Sequence, residues 1–245
     1  MSDFIYPDWK VPNFIRAIQT TRKGGYSVGD CYGGLNLSHH VGDKHNSVNL
    51  NIKQLKDKVH NEISWIEQVH GKKVIQLPKK LSPNEADACF SKDKNIICAV
   101  RTADCLPILI TDIKGTFVAA VHAGWKGLGM GIIEEAITRI KSPNDLIVWL
   151  GPCISQKNFE VGHDVYEFFY KYDKNIKPAF IEKSKDKLLL SLTKAAEIKL
   201  KTLGAQLIYG NGITQNYCTF DDVDTFYSYR RDTFTGRMAS LLWME

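Results

Sequence analysis

Between residues 96 and 121 the chain carries three apolar, β-like runs in quick succession, at 96–100, 106–111 and 117–121. Lys114-Gly115 marks the tight turn between the second and the third. Apolar runs of this length, bounded by turn residues, read as buried strands, and buried strands need cover. Cover follows at once, because residues 127–141 place apolar side chains at 128, 132, 133, 136, 137 and 140, the spacing of a helix face. Glycines 129 and 131 inside that helix cost about 1 kcal/mol each against alanine, so packing or ligand approach must favour them.

The remaining chain continues this mixture. A first strand is expected at 13–20, then a turn through Thr21-Arg22-Lys23-Gly24-Gly25 and a polar loop at 33–43 holding His39 and His40. Apolar residues at 48, 52, 55 and 59 define an amphipathic helix over 44–59. A strand at 63–69 delivers His70-Gly71, a short one covers 74–77, and 85–90 is read as a connecting segment. Residues 146–150 form a buried strand before Gly151-Pro152-Cys153, and helices are expected over 161–172 and 189–203, the second stopped by Gly204. The tail returns to β pattern at 226–229 and 239–243 around a Thr235-Gly236-Arg237 turn. No Pro/Gly/Ser-rich linker cuts the chain. These features point to one α/β (α+β) domain over residues 1–245, with mixed β-sheets flanked by helices.

Composition excludes several classes. Hydrophobic content of 44% and charged content of 24% are those of a soluble globular protein. The 32 basic residues are interspersed with 27 acidic ones, and the lysine clusters at 53–58, 72–73, 79–80 and 183–187 read as solvated faces, so no nucleic-acid partner is expected. No run approaches the roughly 18 apolar residues of a membrane span, and the N-terminal residues lack a secretory pattern. Six cysteines without a CxxC pair then indicate reduced thiols in a cytoplasmic protein. Cys105 is set apart from the others by its place beside a Gly-rich turn and a histidine.

Three potential ligands share a local setting: His70 after the 63–69 run, Cys105 after Asp104, and His122 after the 117–121 run. Two imidazoles and a thiolate make a catalytic zinc set with a fourth position left for water or substrate. The same residues also suit covalent chemistry, with Cys105 as nucleophile and His122 or His70 as its base. Spacing alone leaves both readings open.

The motifs Trp65-Ile66-Glu67-Gln68-Val69-His70-Gly71, Thr102-Ala103-Asp104-Cys105-Leu106-Pro107, Val121-His122-Ala123-Gly124-Trp125, Gly151-Pro152 with Phe159-Glu160-Val161-Gly162, and Tyr229-Arg230-Arg231-Asp232 through Ala239 resemble the laccase-domain family. Its members were first described as polyphenol oxidases and later as purine nucleoside phosphorylases. The resemblance implies a fold shared with Cys–His toxin-like hydrolases and a Zn2+ ion held by His70, Cys105 and His122. It also implies phosphorolysis of adenosine, inosine and methylthioadenosine, together with adenosine deamination. Purine nucleosides and phosphate are then the partners, and the protein is expected as a monomer or small homo-oligomer. Asp104, beside Cys105, is the candidate acid or positioning group for the leaving amine. Arg22, Asn36, His40, Lys126 and Arg230 are the candidates for substrate and phosphate, and the glycine turn at 124–131 for an anion seat. Lys126 stands where the family usually has Arg, which loses a bidentate fork; Phe159 replaces a Tyr, and Ser38 a Gly. A multicopper laccase needs several His-rich sites, whereas this chain has seven histidines and one three-ligand set, which favours zinc over copper.

Overall fold

The structure, a computed structural model, describes residues 4–78, 84–140 and 145–245. In chain order the first strands are β1 (Phe4–Ile5), β2 (Ile15–Thr20), β3 (Ile63–Ser64), β4 (Val74–Leu77) and β5 (Ala88–Ser91). They are followed by β6 (Ile97–Thr102), β7 (Leu106–Asp112), β8 (Val118–Ala123) and β9 (Leu146–Leu150). The last are β10 (Glu160–Gly162), β11 (Phe180–Ser184), β12 (Lys187–Leu190), β13 (Leu207–Gly210) and β14 (Met238–Met244). The helices are α1 (His45–Val59), α2 (Trp125–Met130), α3 (Ile132–Ile140), α4 (His163–Tyr172), α5 (Leu192–Thr202) and the single turn α6 (Tyr229–Asp232).

Two mixed sheets carry the architecture. One has the order β1-β2-β14-β6-β3 and the other β13-β9-β7-β8-β5-β4; a third, β10-β12-β11, is a small satellite. Side chains alternate across a strand, and here each face finds its own cover. Cys98 and Val100 of β6 meet Leu109, Val118, Ala120 and Trp149 of the second sheet, which makes the core between sheets. Ile97 and Ala99 turn the other way, onto Leu55 and Val59 of α1. On the far face of the second sheet, Leu106, Ile108 and Ile110 pack with Ile133 and Ile137 of α3 and Phe169 of α4. The layers therefore run helix, sheet, sheet, helix. Continuous apolar strands are what such double burial demands.

Several boundaries differ from the expectations, each for a physical reason. The 63–69 run keeps only Ile63–Ser64 as strand. Beyond it the chain leaves β6, and Gln68 substitutes its amide for ladder bonds, donating to the Arg101 carbonyl and accepting from the Arg101 N–H, both at 2.8 Å. Glu67 meanwhile pairs with Asn84 and Ala86, so this loop bridges the two sheets. Part of the segment read as connecting is β5, hydrogen-bonded between β8 and β4. The expected 127–141 helix is two helices, α2 and α3, broken at Gly131, whose φ of 91° lies in the left-handed region. Strands β10 and β12 occupy the starts of the two later helices. Residues 226–229 form no strand; Ser228 instead caps α6, its hydroxyl accepting from the Arg231 N–H. Lys79-Lys80 and Lys141 lie outside the described residues.

Candidate active site

Cys105 sits in the turn between β6 and β7, immediately after Asp104, whose φ is +89°. Strand β7 pairs with β8 so that Pro107 faces His122. Cys105, two residues before Pro107, therefore comes to the same end of the ladder as the histidine. His122 lies inside β8 rather than beyond it, and is buried. His70 arrives from the bridging loop with a φ of +58°. Its Nε2 lies 4.0 Å from the Cys105 Sγ, and its ring meets that of His122 edge-on at 4.8 Å. One donor atom from each of the three residues can be chosen so that all lie within 4.8 Å of one another. Among the described residues this is the one His/Cys/acid group so placed.

A carboxylate not foreseen from the sequence organises this trio. Asp87, fully buried at the mouth of β5, accepts from His122 Nδ1 at 2.8 Å and from the His70 N–H at 2.9 Å through Oδ1. Its Oδ2 accepts from the Gly71 N–H at 2.6 Å and the Val69 N–H at 3.3 Å. The backbone of Asp87 joins in, since its carbonyl accepts from the His122 N–H at 2.7 Å. One acid thus clasps three successive amides, holds His70 in its left-handed conformation, and fixes the His122 ring. Burial raises the Asp87 pKa, but the His122 bond and charge and the Gly71 and His70 amides outweigh it and hold the carboxyl below its usual range. With Nδ1 engaged, His122 presents Nε2 to the trio.

Charge in the trio follows from the same contacts. Burial raises the Cys105 thiol, yet the His122 charge and hydrogen bonds from both histidines lower its pKa to about 6. Burial lowers His122, but the Cys105 charge and the Asp87 bond raise it to about 9. Both shifts run in the direction that favours a thiolate beside an imidazolium. Two imidazoles and a thiolate suit a borderline-soft divalent ion, and bonds of about 2.0–2.3 Å would hold the donors about 3.5 Å apart. The residues fit a metal with small adjustments. Gly124 makes the fit possible: a Cβ there would stand 3.0 Å from Cys105 Sγ and 3.2 Å from His70 Cδ2. At Gly127 a Cβ would come within 2.6 Å of the Gly71 carbonyl. At Gly124 and Gly127 the glycine turn is thus a close-packing device behind the trio and the loop that carries His70. Its helix, α2, has six residues.

The trio opens on a cavity of about 790 Å³, ample for a small molecule. Ile66, Trp125, Ile154, Phe159 and Leu192 form its apolar lining; Ser38, His40, Gln68, Arg101, Tyr229, Arg230 and Arg237 form much of the polar one. Of the residues expected at substrate, His40 and Arg230 are on this wall, Arg230 also donating to the Glu160 carbonyl at 3.0 Å. Arg22, Asn36 and Lys126 are not among the lining residues. The Arg22 guanidinium lies over the Tyr227 ring and donates to the carbonyls of Val223 and Asp30, both at 3.0 Å, tying loops together. Asn36 is buried with its amide spent: Nδ2 donates to the Ser38 carbonyl and Asp43, and Oδ1 accepts from the N–H groups of Ser38 and Arg237. Lys126 is exposed, near the Trp125 ring.

Asp104 lines the cavity, but its carboxylate accepts from Thr219 Oγ1 at 2.5 Å, Ser228 Oγ at 3.0 Å and the Arg230 N–H at 2.7 Å. Those bonds fasten the Cys105 turn to the C-terminal loops, which favours the positioning role over the acid. Sequence reasoning missed Asp87, Arg101, Gln68 and Arg237 as site residues. Gln68 and Arg237 stood within recognised motifs, whereas Asp87 lacked any signal beyond the general need of a ligating histidine for a carboxylate.

Residues 16–245 match the family model described as multi-copper polyphenol oxidoreductase laccase. The chain is similar to a Haemophilus influenzae protein named purine nucleoside phosphorylase, 44% identical over 98% of this chain and 99% of that one. It is 41% identical to the Escherichia coli purine nucleoside phosphorylase YfiH, over the whole of both. Among solved structures, the Neisseria meningitidis protein NMB0706 superimposes with a TM-score of 0.95 at 39% identity, covering all of both chains. YlmD from Geobacillus stearothermophilus gives 0.83 at 26% identity, over 95% of this chain and 93% of that one. The chain belongs to the laccase-like polyphenol oxidoreductase family whose relatives include proteins named purine nucleoside phosphorylase.

Proposed function

We propose that this chain is a cytoplasmic zinc enzyme that cleaves purine nucleosides with phosphate, acting on adenosine, inosine and methylthioadenosine, and that it also deaminates adenosine. The observation that carries the reading is the His70–Cys105–His122 trio opening on a cavity lined by apolar side chains and by Arg101, Arg230 and Arg237. The names of the full-length relatives support the phosphorylase part. A single three-donor set among the described residues supports zinc over the several coppers of a laccase.

His70, Cys105 and His122 would hold the ion, and when bound it would supply Lewis acidity toward a substrate atom or lower the pKa of a water. The chain's own groups do the rest. Asp87 keeps the His122 ring and the His70 backbone in one orientation. Ile154, Phe159 and Trp125 give a planar base an apolar bed that excludes water. His40 and Arg230 are placed to bond ribose or phosphate oxygens. Asp104 fixes the Cys105 turn rather than delivering a proton, since hydrogen bonds already engage both of its oxygens.

A second reading keeps a specific observation: Cys105 beside His122, with Asp87 bonded to His122 Nδ1, forms the arrangement of a Cys–His–Asp nucleophile. Metal analysis paired with product assay separates the two. Adenosine, inosine and methylthioadenosine are each supplied with and without phosphate to wild type and His122→Ala. The zinc phosphorylase reading expects stoichiometric zinc, phosphate-dependent ribose 1-phosphate, ammonia from adenosine, and loss of metal and turnover together in the variant. Full turnover by stripped protein that ends on alkylation of Cys105 would transfer the assignment to covalent catalysis.

A further inference from the structure

We propose that Arg101 and Arg237 together form the seat for the phosphate oxyanion, a role for which the sequence offered the cations Arg22, Lys126 and Arg230. The inference rests on the phosphorylase reading and adds to it the residues that hold the second substrate.

Both arginines line the cavity, at the same end of neighbouring strands. In the β14–β6 pairing, Ala239 faces Arg101 and Met238 faces Thr102, and Arg237 immediately precedes Met238 at that end of the ladder. Continued by one residue, that register would set Arg237 diagonal to Arg101 on the same face, about 7–8 Å by Cα. Arg101 is held flat, its guanidinium 3.9 Å over the Trp65 ring. Its backbone is clamped by Gln68 on both sides. Its guanidinium nevertheless donates to no protein acceptor among the described residues, and its Nε is buried without a partner. Arg237 is fixed through its N–H to Asn36 Oδ1 at 2.9 Å. It spends one terminal nitrogen on the carbonyls of Thr235 and Gly236, leaving its other N–H groups for a ligand.

Neither arginine forms an ion pair with a carboxylate among the described residues, although Arg237 feels the charges of Cys105 and Asp104 nearby. Asp104 is occupied by Thr219, Ser228 and Arg230, and Glu67 is exposed and pairs with neither arginine. Burial pulls the Arg101 pKa down to about 10, which still leaves it charged at neutral pH. A desolvated guanidinium without an anion is costly, and Arg101, with its Nε buried and unpartnered, is in that state until a ligand completes it. Two forked donors on one wall match the oxygens of a phosphate. Arg22 and Lys126 fail this comparison, the first spent on loop carbonyls and the second off the wall.

In the reaction such a seat serves, an oxygen of hydrogen phosphate forms the bond to ribose C1′ as the bond from C1′ to the base nitrogen breaks. The electron pair leaves with the base, the phosphate's proton passes to that nitrogen, and ribose 1-phosphate and free base result. Arg101 and Arg237 orient the phosphate and take no proton.

The test measures phosphorolysis kinetics in Arg101→Met, Arg101→Lys and Arg237→Met, with zinc content and nucleoside KM read on the same preparations. The expected result is a phosphate KM raised about 10–100-fold in either Met variant, a smaller rise in Arg101→Lys, a nucleoside KM within threefold of wild type, and unchanged zinc. Calorimetry of inorganic phosphate binding reads the same loss without turnover. If Arg101→Met does not fold, Arg101→Lys and Arg237→Met decide the matter. Phosphate-dependent wild type with a phosphate KM unmoved in folded variants overturns the seat alone, whereas wild-type turnover indifferent to phosphate overturns the phosphorylase reading. A wild-type preference for nucleoside 5′-monophosphates, abolished in the variants, would give the seat to the substrate's own phosphate and overturn its assignment to the free ion.

Discussion

Gly124→Ala adds one methyl group directly behind the ligand trio. The backbone accepts it, because φ −67° and ψ 159° are open to any residue. The methyl carbon does not fit so easily, standing 3.0 Å from Cys105 Sγ and 3.2 Å from His70 Cδ2, with His122 Cε1 at 3.8 Å. Ordinary contact begins near 3.4 Å, so sulfur and imidazole must each retreat by a few tenths of an ångström. Overpacking of this kind costs about 1–3 kcal/mol, while replacing glycine returns about 0.4–1 kcal/mol through the unfolded chain. The folded protein should therefore lose at most about 2.6 kcal/mol. Metal binding bears the larger effect, since ligand sites tolerate misplacement of only about 0.5 Å. Placing the overpacking cost on the liganded geometry predicts zinc affinity lower by about 5–150-fold. Chelator competition measures the affinity and thermal melting of the stripped protein measures the fold. Gly129→Ala is the matched control, because its methyl would stand 2.6 Å from the Phe168 ring, away from the trio. It should lower the melting temperature and leave zinc affinity within twofold. Equal zinc affinity in Gly124→Ala and wild type would refute the claim that this glycine exists for the trio.

Asp87→Asn would set an amide NH2 against backbone N–H groups or the His122 ring, and should weaken zinc binding about 10–100-fold. Because the folded Asp87 pKa is depressed, its stabilisation is present above the ordinary carboxylate value of about 4 and is lost as pH falls below it. Acid unfolding of the stripped protein should accordingly be shallower in the variant; an unchanged acid limb would count against the clasp. In stripped protein, Cys105 alkylation followed by peptide mass mapping should reach half its maximal rate near pH 6, and His122→Asn should move that midpoint upward. A wild-type midpoint near 8.5 would mean that the thiolate–imidazolium pair does not form.

What the sequence made legible, and what it hid, divides along one physical line. Apolar runs at 106–111, 117–121 and 146–150 announced buried strands because both of their faces meet a core, and they stand in the structure as β7, β8 and β9. His70, Cys105 and His122 were legible too, as chemistry-bearing residues beside turns in a recognisable motif set, and the fold brings them together. Of the expected cations, Arg230 stands on the cavity wall, whereas Arg22 and Lys126 do not. A charge count cannot tell a guanidinium spent on carbonyls, as at Arg22, from one left without an acceptor, as at Arg101, because that depends on which loops close over it. Asp87 was hidden for a related reason. Its partners are backbone amides 16–18 residues away and a ring 35 residues away, and backbone amides leave no trace in side-chain identity. The loop that carries His70 shows the same limit: apolar periodicity promised a strand, and Gln68 completed its pairing from a side chain instead. Residues that act through their own chemistry are therefore readable one at a time. Those that act by holding another residue's backbone become visible only once the sheets have set the register.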